Sequence, residues 1–151
     1  MMSLLEIKNL RIHYRTKNGV VQAVDDVSFA IAPGGTLGLV GESGCGKTTI
    51  AKAMMRLLPQ NGIIAGGEIL FNGRNLVDLP MDEVRKYRWE EIAMISQSAM
   101  NALNPVARVG NQLIEAMQAH RPVSREAAGR RMAEVFELVG LSIERARDYP
   151  H

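Results

Sequence analysis

Residues 41–48 carry the most specific chemistry in the sequence. They are Gly-Glu-Ser-Gly-Cys-Gly-Lys-Thr and match G-x-x-x-x-G-K-[ST] at every fixed position. The glycines allow backbone conformations in which successive amide N–H groups point at phosphate oxygens. Lys47 supplies a cation for the β- and γ-phosphates, and the Thr48 hydroxyl is suited to ligate Mg²⁺. The motif therefore predicts a nucleotide phosphate site.

The elements on either side of this loop are those that its chemistry requires. Residues 37–40 form a short apolar run, which predicts a buried parallel strand. Residues 47–58 have a helical apolar stripe, and Pro59 is predicted to end this helix. The N-terminus of such a helix favours an anion. Cys45 is interpreted as a small filler, because the loop needs only its backbone there.

The rest of the chain predicts a mixed core followed by helices. Two strands, at about 5–14 and 21–31, predict an antiparallel hairpin, while 68–73 predicts a strand and turn and 92–95 a second buried strand. Helices are predicted at 109–117 and after Ser124, which is a candidate N-cap, with Gly140 at the C-terminal end. The fold class is therefore α/β, with a core over 1–97 and a helical subdomain over 98–151.

Composition narrows the classes of protein. The chain has 151 residues, 46% hydrophobic and 23% charged, with a net charge of +2, which excludes disorder and gives no argument for a nucleic-acid partner. Its C-terminal arginines alternate with acidic residues, which indicates a solvated helix face. One cysteine excludes a disulfide framework, and we see neither a signal peptide nor an apolar run of about 20 residues. We therefore expect a soluble, cytoplasmic protein.

Longer segments add a family resemblance over about residues 4–151. The chain resembles the ATP-binding subunits of ABC importers for dipeptides, oligopeptides and nickel in VDDVSFAIAPGGTLGLVGESGCGKTTIAKAMMRLLP, GGEILFNGRNL, IAMISQ, LNPVARVGNQLIEAM and DYPH. The GESGCGKT wording and the LNPV segment carry most of its specificity. The resemblance implies the P-loop NTPase core of an ABC ATPase, with an N-terminal antiparallel β layer and the start of the helical subdomain.

The resemblance also implies roles for single residues. Tyr14 stands at the position of the aromatic residue that stacks on adenine, although it could instead simply end the first strand. Gln97 matches the glutamine that reaches Mg²⁺ and the attacking water, so Lys47 and Gln97 are the predicted catalytic residues and Thr48 and Gln97 the predicted metal ligands. The predicted ATP-binding residues are Tyr14, Gly41, Glu42, Ser43, Gly44, Cys45, Gly46, Lys47, Thr48 and Thr49.

Some positions depart from the family pattern. Ser98 and Ala99 replace the usual acidic residue and proline after the glutamine, and Thr49 replaces the commoner serine. In the family, the signature segment and the Walker B aspartate with its catalytic glutamate follow the YPH element. The sequence has no run of four apolar residues ending in Asp-Glu, and it stops at His151. We therefore expect the N-terminal part of a longer subunit, truncated before the signature and Walker B, which binds nucleotide without hydrolysing it.

The resulting hypothesis is an importer ATPase subunit with ATP and Mg²⁺ as cofactors. Its expected partners are a second ATP-binding subunit, membrane permease subunits and, indirectly, an extracytoplasmic substrate-binding protein, at the inner face of the membrane. Two alternatives stay open. One is a soluble ABC-type ATPase acting on nucleic acid or ribosomes. The other is a small nucleotide kinase, whose lid would need paired arginines such as Arg130 and Arg131.

Overall fold

The computed structural model describes residues 3–88, 90–96 and 102–151. The chain folds as two compact units, Met1–Ile92 and Ala93–His151. The domain division predicted at residues 97 and 98 falls between the described ranges and stays a prediction.

The first unit is built on a four-stranded antiparallel sheet of order β2-β1-β3-β4. The strands are β1 (Leu5–Thr16), β2 (Gly19–Ile31), β3 (Gly62–Phe71) and β4 (Arg74–Asn75). The predicted hairpin of β1 and β2 is confirmed. Its turn is closed by the Thr16 hydroxyl, which donates to the Gly19 carbonyl at 2.8 Å.

Helix α1 (Lys47–Met54) follows the predicted phosphate loop, and α2 (Met81–Tyr87) follows β4. The prediction that α1 runs to Pro59 is wrong, because the chain leaves the helix at Arg56, whose φ is +51°. Arg88 stabilises this early end by donating to the carbonyls of Met55 at 2.9 Å and Arg56 at 3.0 Å. Partial burial lowers the pKa of Arg88, and the nearby charges of Arg85 and Arg56 lower it further.

The core of this unit lies between the sheet and α1. Ile50 and Ala53 are the buried residues of α1, and they join the apolar side chains of β1, β2 and β3 in one cluster. The buried members of the cluster are Ile7, Leu10, Ile12, Val24, Ile50, Ala53, Ile69, Phe71 and Leu76. The helix that begins at the predicted phosphate loop is therefore held on the sheet by packing.

Two predicted strands do not form. Residues 37–40 and 93–95 have no regular secondary structure, and among the described residues near the second segment the pairing is limited to an isolated parallel bridge between Arg88 and Ile92. Val40 and Ile95 are 96% and 94% exposed. A buried parallel strand needs neighbours that pair with its backbone and cover both faces. In the part of the chain that the structure describes, every sheet strand belongs to the antiparallel sheet, so these segments have no such neighbours.

The second unit consists of helices α3 (Val109–His120) and α4 (Arg125–Leu138) and a 3₁₀ helix (Ile143–Arg147). Both α-helices were predicted, although α3 continues three residues beyond the predicted end. Gly110 allows α3 to approach the 3₁₀ helix closely, because a Cβ there would lie 2.8 Å from the Ala146 carbonyl oxygen.

The caps predicted for α4 are confirmed. The Ser124 hydroxyl accepts a hydrogen bond from the Ala127 N–H at 3.1 Å. At the other end Gly140 has φ +70°, and its N–H donates to the Glu137 carbonyl at 3.0 Å. The next N–H, of Leu141, reaches the Phe136 carbonyl at 2.8 Å, which completes a Schellman motif.

The charged face of α4 is solvated, as predicted. Arg130 pairs with Glu126 at 2.6 Å and Arg131 with Glu134 at 2.7 Å, and all four side chains are more than half exposed. Exposed pairs of this kind contribute little to stability. Both guanidinium groups pair with carboxylates of the same helix, so the structure gives no support to the kinase alternative at these residues.

Candidate phosphate-binding site

The N-terminus of α1 packs closely against strand β2 at Gly46. This residue is the N-cap of α1, has φ +94° and is buried. A Cβ at this position would lie 2.6 Å from the Ala23 carbonyl oxygen and 3.3 Å from Cγ2 of Val24. Glycine is therefore required both by the backbone conformation and by the close approach of the loop to the sheet.

The loop before the helix is also shaped by glycine. Gly44 has φ +88°, with open space where a side chain would be. A Cβ at Gly41 would lie 2.7 Å from the Cys45 Sγ, so the two ends of the loop pack against each other. The Cys45 N–H donates to the Glu42 carbonyl at 3.3 Å. Cys45 is exposed, and its interpretation as a small filler stays a prediction.

The Lys47 ammonium group lies over this loop. Its Nζ donates to the carbonyls of Gly41 and Glu42, both at 2.7 Å, and is 3.4 Å from the Cys45 Sγ. Carbonyl groups orient the ammonium ion but leave its charge uncompensated. No carboxylate in the described residues forms an ion pair with Lys47, so its ammonium charge is not neutralised by an ion pair.

The first turn of α1 adds further hydrogen-bond donors. Gly46 has no side chain to cap the helix, and the first turn contains no acidic residue. The first amide N–H groups of a helix have no partner within the helix and carry the positive end of its dipole. Thr48 is exposed and Thr49 is half-buried, so the Thr48 hydroxyl is the one turned to the open side. Loop, ammonium group and helix end together can bind a polyphosphate.

Tyr14 lies next to this turn. It is half-buried in β1, opposite Val21 on one side and Gly62 on the other. Its hydroxyl donates to Oγ1 of Thr49 at 3.3 Å. Sequence reasoning missed this contact, because the two residues are 35 positions apart. The structure thus brings Tyr14 to the loop, and its stacking on adenine stays a prediction.

One predicted site residue lies outside the described part of the chain. Gln97, Ser98 and Ala99 lie outside the described residues, so the role of Gln97 in catalysis and metal binding stays a prediction. Within residues 3–88, 90–96 and 102–151 there is no group of three or more His, Cys, Asp and Glu side chains that could hold a metal ion. The same residues contain no helix long and apolar enough to cross a membrane.

A comparison with models of known protein families assigns the chain to a family. The model of the ABC transporter family (ABC_tran) matches residues 24–150, which include the whole loop and α1. The chain therefore belongs to the ABC transporter family, as the sequence resemblance indicated.

Curated relatives match nearly the whole chain. It is 44% identical to the oligopeptide transport ATP-binding protein OppD of Bacillus subtilis, over 98% of this chain and 42% of the relative. It is 43% identical to OppD of Escherichia coli, over 99% of this chain and 44% of the relative. It is 42% identical to the dipeptide transport ATP-binding protein DppD of Lactococcus lactis, over 98% of this chain and 43% of the relative. The chain thus spans less than half the length of these relatives.

Solved structures share the fold. The ATP-binding cassette MJ0796, in a dimeric post-hydrolysis state bound to ADP and Pi, matches with a TM-score of 0.82 at 23% identity, over 97% of this chain and 61% of that one. A second dimeric structure of this bacterial cassette matches with a TM-score of 0.75 at 21% identity. The fold class is therefore that of an ABC ATPase cassette, an α/β fold with an antiparallel sheet, of which this chain contains a part.

Proposed function

We propose that this chain is part of an ATP-binding subunit of an ABC importer, which couples ATP binding and hydrolysis to the uptake of peptides or similar small solutes. The observation that carries the proposal is the Lys47 ammonium group, held over a glycine loop at an uncapped helix end with no carboxylate partner among the described residues. The names of the curated relatives, oligopeptide and dipeptide transport ATP-binding proteins, support the substrate class.

The residues of the loop fit ATP and Mg²⁺. The N–H groups of the loop and of the first turn of α1 would bind phosphate oxygens, and Lys47 would exchange its two carbonyl contacts for phosphate. The exposed Thr48 hydroxyl would ligate Mg²⁺, which neutralises charge on the phosphates when it is bound. Tyr14 would stack on adenine, and Gln97 would act at the metal ion and the attacking water.

Partners and location follow from the same proposal. The subunit acts with a second ATP-binding subunit and with permease subunits at the inner face of the cell membrane, and a substrate-binding protein acts through the permease. For the 151-residue chain alone we infer nucleotide binding without turnover, because its sequence contains no apolar run ending in Asp-Glu that could supply the catalytic glutamate. Copurification of the full-length subunit with integral membrane proteins tests the assignment to a transporter.

The phosphate site is tested with Lys47→Ala. Loss of the charge-assisted contact should weaken binding of a fluorescent ATP analogue by about 10- to 150-fold, since such a contact contributes roughly 1.5–3 kcal/mol. Circular dichroism should be unchanged, because Lys47 contacts only the loop.

Lys52→Ala is the matched control. Lys52 is an exposed lysine in the last turn of the same helix, so its removal changes the net charge equally but leaves the loop intact. Equal affinities of the two variants would show that the loop is not the phosphate site.

A further inference from the structure

The contact between Tyr14 and Thr49 joins the sheet to the first turn of the phosphate-site helix. Tyr14 belongs to β1, which is paired on both sides, and Thr49 is the third residue of α1. The hydrogen bond runs from the phenolic hydroxyl to Oγ1 of Thr49 at 3.3 Å, and it is partly buried. We propose that Tyr14 is a positioning residue, whose hydroxyl fixes the rotation of this turn through Thr49 and thereby places the Thr48 hydroxyl toward the metal ion. The inference rests on the proposed function.

The tyrosine ring is itself held in place. Gly62 is so close that a Cβ there would lie 2.8 Å from Cε1 and 3.2 Å from Cδ1 of Tyr14, and 3.3 Å from the Cβ of Leu58. The β1 backbone cannot shift readily, because its neighbours on both sides belong to the sheet. The tyrosine side chain has only two torsion angles, and one edge of its ring lies against Gly62. The ring therefore holds its hydroxyl group in a fixed position.

The geometry of the helix explains why a contact at Thr49 sets the orientation of Thr48. Successive residues of an α-helix point about 100° apart, so when Thr49 faces the sheet, Thr48 is turned away from it. The burial follows this pattern, since Thr49 is half-buried and Thr48 is exposed. Rotation of the first turn about the helix axis would move the Thr48 hydroxyl, and the tyrosine contact opposes that rotation.

The role differs from adenine stacking, and both can be performed by one residue. Stacking uses a face of the ring and is kept by phenylalanine, whereas positioning needs the hydroxyl group. Because Thr49 is itself a predicted ATP-binding residue, the double variant separates the two roles: only a shared hydrogen bond makes the effects of Tyr14→Phe and Thr49→Val non-additive.

The test measures affinity for a fluorescent ATP analogue with Mg²⁺ and with the metal removed by chelation. Tyr14→Phe and Thr49→Val should each weaken binding with Mg²⁺ by about 3- to 10-fold, the range expected for loss of one hydrogen bond. The double variant should bind no more weakly than either single variant, because both remove the same contact. Thr49→Ser, which keeps the hydroxyl, should regain most of the affinity that Thr49→Val loses. Without metal, the losses should be clearly smaller.

Several results would overturn the proposal. Additive losses in the double variant would mean that the two residues act independently. Equal losses with and without Mg²⁺ would mean that the contact only supports the fold, and thermal unfolding of each variant identifies such an effect. If binding depends on Lys47 but not on either hydroxyl, the positioning role fails while the proposed function stands. If the unmodified chain shows no Lys47-dependent binding, the proposed function itself fails.

Discussion

Substitution of Gly46 by alanine tests how closely the phosphate loop is fitted to the sheet. Two costs can be worked out from the structure. The φ of +94° is in the left-handed region, where a side chain costs about 1–2 kcal/mol. The new Cβ would also lie 2.6 Å from the Ala23 carbonyl oxygen, and because this is a backbone atom, relief of the clash requires a shift of the β2 backbone or of the loop. Overpacking of this kind costs about 1–3 kcal/mol. The expected loss of unfolding free energy is therefore about 2–5 kcal/mol.

Gly44→Ala is the matched comparison. Gly44 has a similar φ of +88° in the same loop, but nothing lies within 4 Å of the position of its Cβ. The Gly44→Ala variant should therefore lose only about 1–2 kcal/mol of unfolding free energy, which is the cost of the left-handed backbone conformation. Urea unfolding followed by far-UV circular dichroism measures both free energies, and an unchanged slope against denaturant would show that the same surface is exposed. Equal destabilisation of the two variants would refute the close fit of Gly46 against β2.

The second unit gives two further predictions. Gly110→Ala should lower the unfolding free energy by about 1–3 kcal/mol, because its Cβ would be 2.8 Å from the Ala146 carbonyl oxygen. Gly129→Ala, at an open site in α4, should instead raise the unfolding free energy by about 0.5–1 kcal/mol. Thermal unfolding checks both signs, and two destabilised variants would contradict the reasoning. Ser124→Ala should cost about 1 kcal/mol by removing the cap of α4, and Ser124→Asp should restore most of it; an unchanged melting temperature in Ser124→Ala would mean that the cap contributes nothing.

Features of the sequence that act locally were predictable. Alternating apolar residues predicted the β1–β2 hairpin, and eight adjacent residues predicted a glycine loop that leads into a helix. Ser124 and Gly140 fixed both ends of α4, because a cap binds backbone groups within a few residues of itself. In each of these cases the interacting groups are close together in the chain.

Features that depend on distant residues were not predictable. Apolar runs at 37–40 and 92–95 indicated burial, but whether such a run becomes a strand depends on neighbours that its own composition does not contain. Pro59 looked like the end of α1, yet the helix ends earlier, at a point where Arg88, more than 30 positions away, binds the Met55 and Arg56 carbonyls. The hydroxyl contact from Tyr14 to Thr49 likewise spans 35 positions.

The shortness of α1 has a thermodynamic consequence. At eight residues, the helix is well below the length at which a helix persists alone in water, about 12–15 residues. The helix end that would bind phosphate therefore exists only when Ile50 and Ala53 are packed on the sheet. A ligand that needs this helix end binds only the folded chain, so its binding shifts the folding equilibrium toward the folded state. At a free concentration of about 100 times its dissociation constant, it would add about 2.7 kcal/mol to the unfolding free energy, so nucleotide occupancy would be visible as resistance to heat and protease.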